Sequence, residues 1–504
     1  MNQLPVLVLV LPLLVAPILL LFRDNRYAYN MSLGVSFLNL LLIISLFQHV
    51  YENGNMLYEL GSWEAPIGIR LNADLLSCYF LLLMNFMSLI CLIAGHKNVK
   101  SQIEDDNIYL FYIAWLLCNV GFSGIILTND IFNLFVFLEI SSLASYFLIS
   151  QGNYKASSLA AIQYLFIGSI GAVFILFAIG ILYANTGTLN MSDLSNKIIN
   201  NNISLSMSLS IAMFLIGVGI KTALFPLHGW LVRTYTYAPS IIVSYFSGTS
   251  TKIGVYILLR IFLDVFHSIN PLEHYELAQL ILFLSLIGVL LSTLYAVKQI
   301  EVKKMLAYSS VAQLSYIILA IVLLTPEGLT ASLVHVFNHS IIKTGLFLVV
   351  TILFINNKDV SIDDFSGLGS KYPLLMSAFL LLLLGLIGLP LTSGFISKWY
   401  LVSAILQSDY WYISVVVLIT SFMTLFYVWL LIEKIYSILK LAKIPSFLNE
   451  LGFAPLDIPS LALDASEQWT ANFNPRPVSR DDFENIYSNL FSTTPCETQS
   501  LQTN

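Results

Sequence analysis

The sequence predicts an all-α polytopic membrane protein of about 13 transmembrane helices, with two inverted five-helix repeats and broken helices 7 and 12. Three observations carry that expectation. Of 504 residues, 57% are hydrophobic and 10% charged, where a typical soluble domain has about 25% charged. Apolar runs of about twenty residues, enough to cross a hydrocarbon core about 30 Å thick, recur almost to the C-terminus. Two of those runs also set a lysine beside a proline or glycine interruption. One is GVGIKTALFPLHGW (Gly217–Trp230) around Lys221, and the other is GLPLTSGFISKWY (Gly388–Tyr400) around Lys398.

In chain order the spans read 4–22, 31–50, 75–95, 108–127, 131–150, 159–184, 205–225, 241–263, 277–297, 305–324, 331–354, 374–406 and 411–432. The first has its basic residues, Arg23 and Arg26, after it rather than before it, the wrong order for a cleaved leader, so a retained span is expected. The seventh ends at Pro226, which removes a backbone donor. Such a break is tolerated in a membrane only where protein or water meets the freed groups. The twelfth is too long for one straight crossing and holds Gly385, Gly388, Pro390 and Gly394, so it reads as two half-helices. Paired breaks five spans apart suggest internal repeats. The organisation expected is helices 1–3 in 1–107, a first repeat in 108–263, a second in 277–432, and a polar acidic tail in 445–504.

Charge placement supports the count. With the N-terminus outside, loops and tail start on the cytoplasmic side carry fourteen basic residues, and the outer loops carry only Arg70 and Lys197. That is a strong positive-inside bias. Arg476 and Arg480 sit in the distal tail, where the run Asp481–Phe491, DDFENIYSNLF, could form a short helix that docks a partner or could stay disordered. The remaining basic residues, Lys221, Lys252, Arg260, Lys343 and Lys398, fall inside spans. The four lysines represent about 10–14 kcal/mol of insertion cost before pairing and hydration. They should therefore face a bundle interior or a hydrated cavity.

Glu139 is the one carboxylate well inside an apolar span. With Lys221 it could make a pair switched by moving a proton, or a merely structural salt bridge. Lys252 could act in an ion path or snorkel towards an interface. Arg260 is expected to snorkel, since a guanidinium does not release its proton. Asp74, Asp130 and Asp264 read as capping or interfacial groups. In the eleventh span, HVFNHSIIKTGLFL, His335, His339 and Lys343 are four residues apart and share one helix face. They suggest a proton relay. Zinc binding lacks a third ligand, and packing hydrogen bonds through Asn338 and His339 are the other alternative. His228 could end a relay or cap a helix.

The four cysteines, Cys78, Cys91, Cys118 and Cys496, lie far apart, and no CxxC, Walker or dinucleotide signature is present. No cofactor, resident metal or nucleic-acid partner is expected.

Five motifs now stand together: TNDIFNLFVFLEISSLASYFL around Glu139, GVGIKTALFPLHGWL around Lys221, YAPS…SGTSTKIGVYILLRI around Lys252, HVFNHSIIKTGLFL, and LPLTSGFISKWYL around Lys398. As a set, over roughly residues 100–405, they resemble the antiporter-like family shared by Mrp-type multisubunit cation/proton antiporters and the pumping subunits of respiratory complex I. The stretch around Glu139 is most similar to the Mrp antiporter D-type subunit. The resemblance implies a half-channel pair at Glu139 and Lys221, an onward link at Lys252, a central path through the His/Lys helix, and an opposite exit at Lys398. It implies a proton-translocating subunit of a Na+/proton antiporter in the cell membrane, not itself an enzyme, working with other hydrophobic subunits. The alternatives are a pumping subunit of a redox-driven complex and an energy-coupling subunit for solute uptake. Two departures stand out. The polar tail lies where a fourteenth span of the family would fall, and LVRTYTYAPS lacks the acid that often precedes the AP element.

Overall fold

The computed structural model describes residues 3–152, 155–199, 204–266, 277–323, 325–354, 360–408, 410–436, 453–467 and 478–490. Cys496, Arg476 and Phe491 of the tail lie outside them. The helices are α1 (Leu4–Phe22), α2 (Asn25–Asn53), α3 (Leu75–Gln102), α4 (Ile108–Leu127), α5 (Ile131–Ser150), α6 (Lys155–Thr186) and the short α7 (Met191–Ile199). They continue with α8 (Leu205–Lys221), α9 (Gly229–Tyr237), α10 (Ser240–Gly248), α11 (Ser250–Arg260), α12 (Leu277–Val297), α13 (Val302–Val322) and α14 (Pro326–Leu353). The last are α15 (Pro373–Ile387), α16 (Ser393–Leu406), α17 (Ile413–Tyr436), α18 (Ile458–Glu467) and α19 (Arg480–Leu490).

Among the described residues, eleven spans are long and apolar enough to cross a membrane. Two shorter apolar helices, α8 and α15, are the first halves of the broken seventh and twelfth spans. Every predicted span thus has a helix in its place, and both expected breaks are present. Helix starts follow the capping rule: Asp24, Asp74, Asp130, Ser204, Thr325 and Thr392 each accept a backbone N–H of the first turn. The antiparallel strands β1 (Met56–Glu59) and β2 (Arg70–Ala73) form a hairpin between α2 and α3 that the hydropathy pattern does not announce.

Loop contacts separate the two ends of the bundle. Asn129 N donates to Arg70 O at 2.9 Å and Ile131 N to Leu189 O at 2.9 Å, joining the second, fourth and sixth loops. At the other end Ser240 N donates to Gln102 Oε1 at 2.9 Å, Lys303 Nζ to Ser240 Oγ at 2.9 Å and Val302 N to Val360 O at 2.8 Å. Those contacts join odd-numbered loops, as alternating crossings require. The most enclosed spans are α4, the α10–α11 pair and α13, while α1, α2, α6 and α17 keep most of their surface outward.

Two compact units are present. The larger, Met1–Asp364 with Pro373–Trp429, holds the helices discussed below. The smaller, Phe365–Tyr372 with Leu430–Asn504, includes α18 and α19. In it Arg480 pairs with Glu484 at 3.0 Å and donates to Pro459 O at 3.3 Å. The helix suggested by DDFENIYSNLF therefore forms.

Arg260 corrects an expectation. It does not snorkel: its side chain is buried and clamps Asp74 through two bonds of 2.6 and 2.5 Å, Asp264 at 2.8 Å, and Tyr256 Oη from Nε at 2.6 Å. Asp74 also caps α3, with Ser77 completing a capping box. The guanidinium cannot shed its charge, so enclosing it requires carboxylates, and α3 and the end of the eighth span are tied together as a result. Burial alone would raise the Asp74 carboxyl, but hydrogen bonds and charge from Arg260 outweigh it and hold the group below its ordinary value. The clamp's contribution is then present at neutral pH and is lost as pH falls through that lowered value. Asp74→Asn, which leaves a buried cation short of one partner, should cost about 3 kcal/mol. A lowered unfolding temperature in detergent at pH 7, converging with the wild type in acid, is the expected result.

Candidate functional site

At the first break, α8 ends at Lys221 and the chain passes through Thr222–His228 before α9 begins. The break frees carbonyls of the last turn, and the Trp230 indole donates to one of them, Ile220 O, at 2.8 Å. The Lys221 ammonium is buried and donates to Ser142 Oγ at 2.7 Å. It also lies 6.0 Å from the centre of the Tyr164 ring. Glu139, one turn before Ser142 on α5, is half-buried and carries a buried Oε1 with no partner among the described residues. Its charge and that of Lys221 interact, yet the two make no direct ion pair. Ser142 stands where a simple salt bridge would be.

A cavity of about 20 Å³ touches Ser142, Ser145, Tyr164, Lys221 and Ser250, room for about one water. Ser250 opens α11, and two residues on is Lys252, fully buried. The snorkelling alternative for Lys252 is thereby removed. Here the structure adds a break that no proline announces: the eighth span is interrupted at Thr249 (φ −121°, ψ −67°). The Lys252 ammonium donates to the carbonyl of Ser247 at that interruption.

Lys252 faces α14 closely enough for its charge to interact with His335, His339 and Lys343. These three are buried. Lys343 donates to Leu306 O at 2.9 Å and to Ser309 Oγ of α13. Neither ring nitrogen of His339 has a partner among the described residues. The packing bond weighed for Asn338 is made, to Ser393 O at 2.6 Å. His335 sits between Gln313 Oε1 on Nε2 and Ser397 Oγ on Nδ1, each at 2.9 Å. Ser397 can also donate to Gly394 O at 3.1 Å. With neutral imidazole, the Ser397 proton satisfies Nδ1. With imidazolium, Nδ1–H donates and the hydroxyl turns to Gly394 O. Protonation of His335 is thus coupled to a serine rotation inside the second broken helix.

Lys398, on α16, is buried and donates to Ile387 O, the last carbonyl of α15, at 2.7 Å, and to Ser421 Oγ at 3.1 Å. Its ammonium lies 5.4 Å from the centre of the Tyr316 ring. Gly388 turns the chain with φ +83°, and a Cβ there would meet the Lys398 stem at 2.9 Å, so both conformation and space call for glycine. At Gly394 a Cβ would lie 1.8 Å from Gly385 O, which marks where the half-helices cross. His228, at the start of α9, makes no side-chain cap. It stacks on Phe225 with ring centres 5.1 Å apart and lines a separate cleft of about 600 Å³.

The predicted residues therefore fall into two groups, Glu139 with Lys221, and Lys252 with Lys343, His339 and His335, the last also within reach of the Lys398 charge. His228 lies apart from the direct contacts. Sequence reasoning misses the hydroxyls and amide that hold the lysines and histidines: Ser142, Ser309, Gln313, Ser397 and Ser421. Their only signal is polarity inside apolar spans, as in LEISSL and AYSSVAQLSY.

Residues 128–424 match the family described as NADH:quinone oxidoreductase/Mrp antiporter, TM. The chain belongs to that family. This antiporter-like protein is 35% identical over 437 residues to NADH-quinone oxidoreductase subunit N of Desulforudis audaxviator, covering 86% of both chains. It is 31% identical over 427 residues to the D-type subunit of the Na(+)/H(+) antiporter of Alkalihalophilus pseudofirmus, covering 84% of this chain and 85% of that one. Its fold superposes on a chain of the membrane-bound sulfane sulfur reductase, an archaeal respiratory membrane complex, with TM-score 0.81 and 29% identity. That match covers 86% of this chain and 88% of the other. It is a multi-pass membrane protein of the antiporter-like fold.

The crossing at the second break has a direct check. Gly394→Ala presses a methyl group onto backbone that cannot yield cheaply, and should destabilise the antiporter-like protein by about 1–3 kcal/mol. Gly180→Ala on α6, where a Cβ meets nothing within 4 Å, should leave the unfolding temperature unchanged or raise it. Comparing the two in detergent by thermal unfolding tests the assignment.

Proposed function

We propose that this chain is the proton-translocating subunit of a multisubunit monovalent cation (Na+)/proton antiporter of the Mrp D type. The observation that carries the reading is how the buried lysines are held. Lys221, Lys252, Lys343 and Lys398 meet hydroxyls and carbonyls, and none makes an ion pair with a carboxylate among the described residues. An amine held by neutral dipoles can keep or release its proton without leaving an opposite charge stranded. With the histidines of α14 these amines form stations along which water can pass protons. The proton pathway assigned is Glu139, Lys221, Lys252, His335, His339, Lys343 and Lys398, with His228 as a possible end towards the nearby cleft.

In this reading residues 108–263 and 277–432 are two inverted repeats, each contributing one broken helix to the path. The fourteen-to-two distribution of basic loop residues supports an N-terminus outside and a cytoplasmic tail, with the chain in the cell's inner membrane. The partners are other hydrophobic subunits, and the chain itself carries out no catalysis and holds no redox cofactor. A second reading, a pumping subunit of a redox-driven complex, is favoured by the likeness to NADH-quinone oxidoreductase subunit N. Both readings use the same path and differ in what drives it. Co-purifying subunits with flavin or iron–sulfur clusters point to the second, and small hydrophobic subunits alone point to the first. A large soluble partner on one face would instead indicate energy coupling for solute uptake.

Glu139→Ala or Lys221→Ala should abolish sodium-dependent proton exchange by the assembled complex in inverted vesicles, followed with a pH-sensitive dye, while the chain remains inserted. Undiminished exchange in either variant rejects the assigned path.

A further inference from the structure

The cleft beside His228 has features that the path does not use. About 600 Å³ in volume, it lies between α6, α9 and α13, and its lining includes His228, Arg233, Lys304, Gln163 and Tyr308. That volume is within the usual range for small-molecule sites, about 300–1,000 Å³. No carboxylate is among the lining residues. Neither Arg233 nor Lys304 makes an ion pair or side-chain hydrogen bond among the described residues, and His228 Nδ1 and Gln163 Oε1 are buried polar atoms without partners. Two uncompensated cations over unmet polar atoms call for an anion with both donors and acceptors.

The cleft's surroundings say what kind. Leu159 is part of its lining, and from it Ile162, Phe166, Ile170, Val173 and Phe177 continue as an exposed apolar stripe along α6. Their spacing of three and four residues keeps them on one helix face, the face a bilayer covers. A charged pocket that shares Leu159 with an apolar stripe fits a ligand with a phosphate head and hydrocarbon tails. We propose that this cleft is a binding site for an anionic phospholipid, its phosphate between Arg233 and Lys304 and its acyl chains along α6. The site is occupied from the leaflet that contains the end of the bundle bearing Lys155, Ser240 and Lys304.

The test is native mass spectrometry of the full-length chain with its native partner subunits, released from nanodiscs of phosphatidylglycerol or of phosphatidylcholine. Phosphatidylglycerol should be retained in preference. The pair Arg233→Gln and Lys304→Gln should weaken that retention about tenfold, and Arg233→Lys with Lys304→Arg should restore it, with an unchanged unfolding temperature in each case. Equal retention of phosphatidylcholine, or undiminished retention by the glutamine pair, overturns the proposal. Displacement of the lipid by inorganic phosphate alone also overturns it, in favour of a soluble-anion site. Cross-linking of Lys304 to a partner subunit with no lipid retained overturns it in favour of a protein interface.

Discussion

An ammonium group enclosed in an apolar bundle must be met by something, and in this chain it is met by dipoles. Four lysines lie buried within the spans, and their ammonium groups end on Ser142, Ser247 O, Leu306 O with Ser309, and Ile387 O with Ser421. Two of these acceptors, Ser247 O and Ile387 O, are carbonyls at helix interruptions. An unbroken helix commits its carbonyls to its own N–H groups. A break releases them, and the negative end of a half-helix is a favourable place for a cation. The interruptions thus supply the acceptors for Lys252 and Lys398, while Lys221 and Lys343 are met by hydroxyls and a carbonyl of unbroken α5 and α13.

Arg260 shows the contrast. Its charge is permanent, and the fold surrounds it with Asp74 and Asp264. Among the described residues, the lysines, whose charge can be removed, receive no carboxylate of this kind. Fixed charge is matched with fixed charge, and variable charge is matched with neutral polarity. Glu139 is half-buried and near enough to Lys221 to feel its charge, while the ammonium itself ends on Ser142.

Much of this architecture is legible in the chain. Thirteen apolar runs, the proline after Lys221 and the glycines before Lys398 locate the spans and both breaks expected from them. The third break is marked by no proline, and its one local signal is Gly248 among the hydroxyl residues around Thr249. The strand hairpin between α2 and α3 is unannounced. His335, His339 and Lys343 share a face by spacing alone, but whether that face looks inward depends on which helices come to cover it. The serines and Gln313 are hidden for a related reason: a polar residue in an apolar span can bond its own helix, as Ser141 and Ser142 both do to Leu138 O, or reach across to another.

The sequence by itself determined that the chain crosses a membrane many times and which side chains are costly to bury there. These are consequences of hydropathy and of local backbone chemistry, both of which act within a single segment. Only the tertiary structure decided which partner each costly group finds. Ser142 and Lys221 are 79 positions apart, His335 and Ser397 62. Contacts over such separations depend on how helices pack, and one segment's composition does not specify its neighbours.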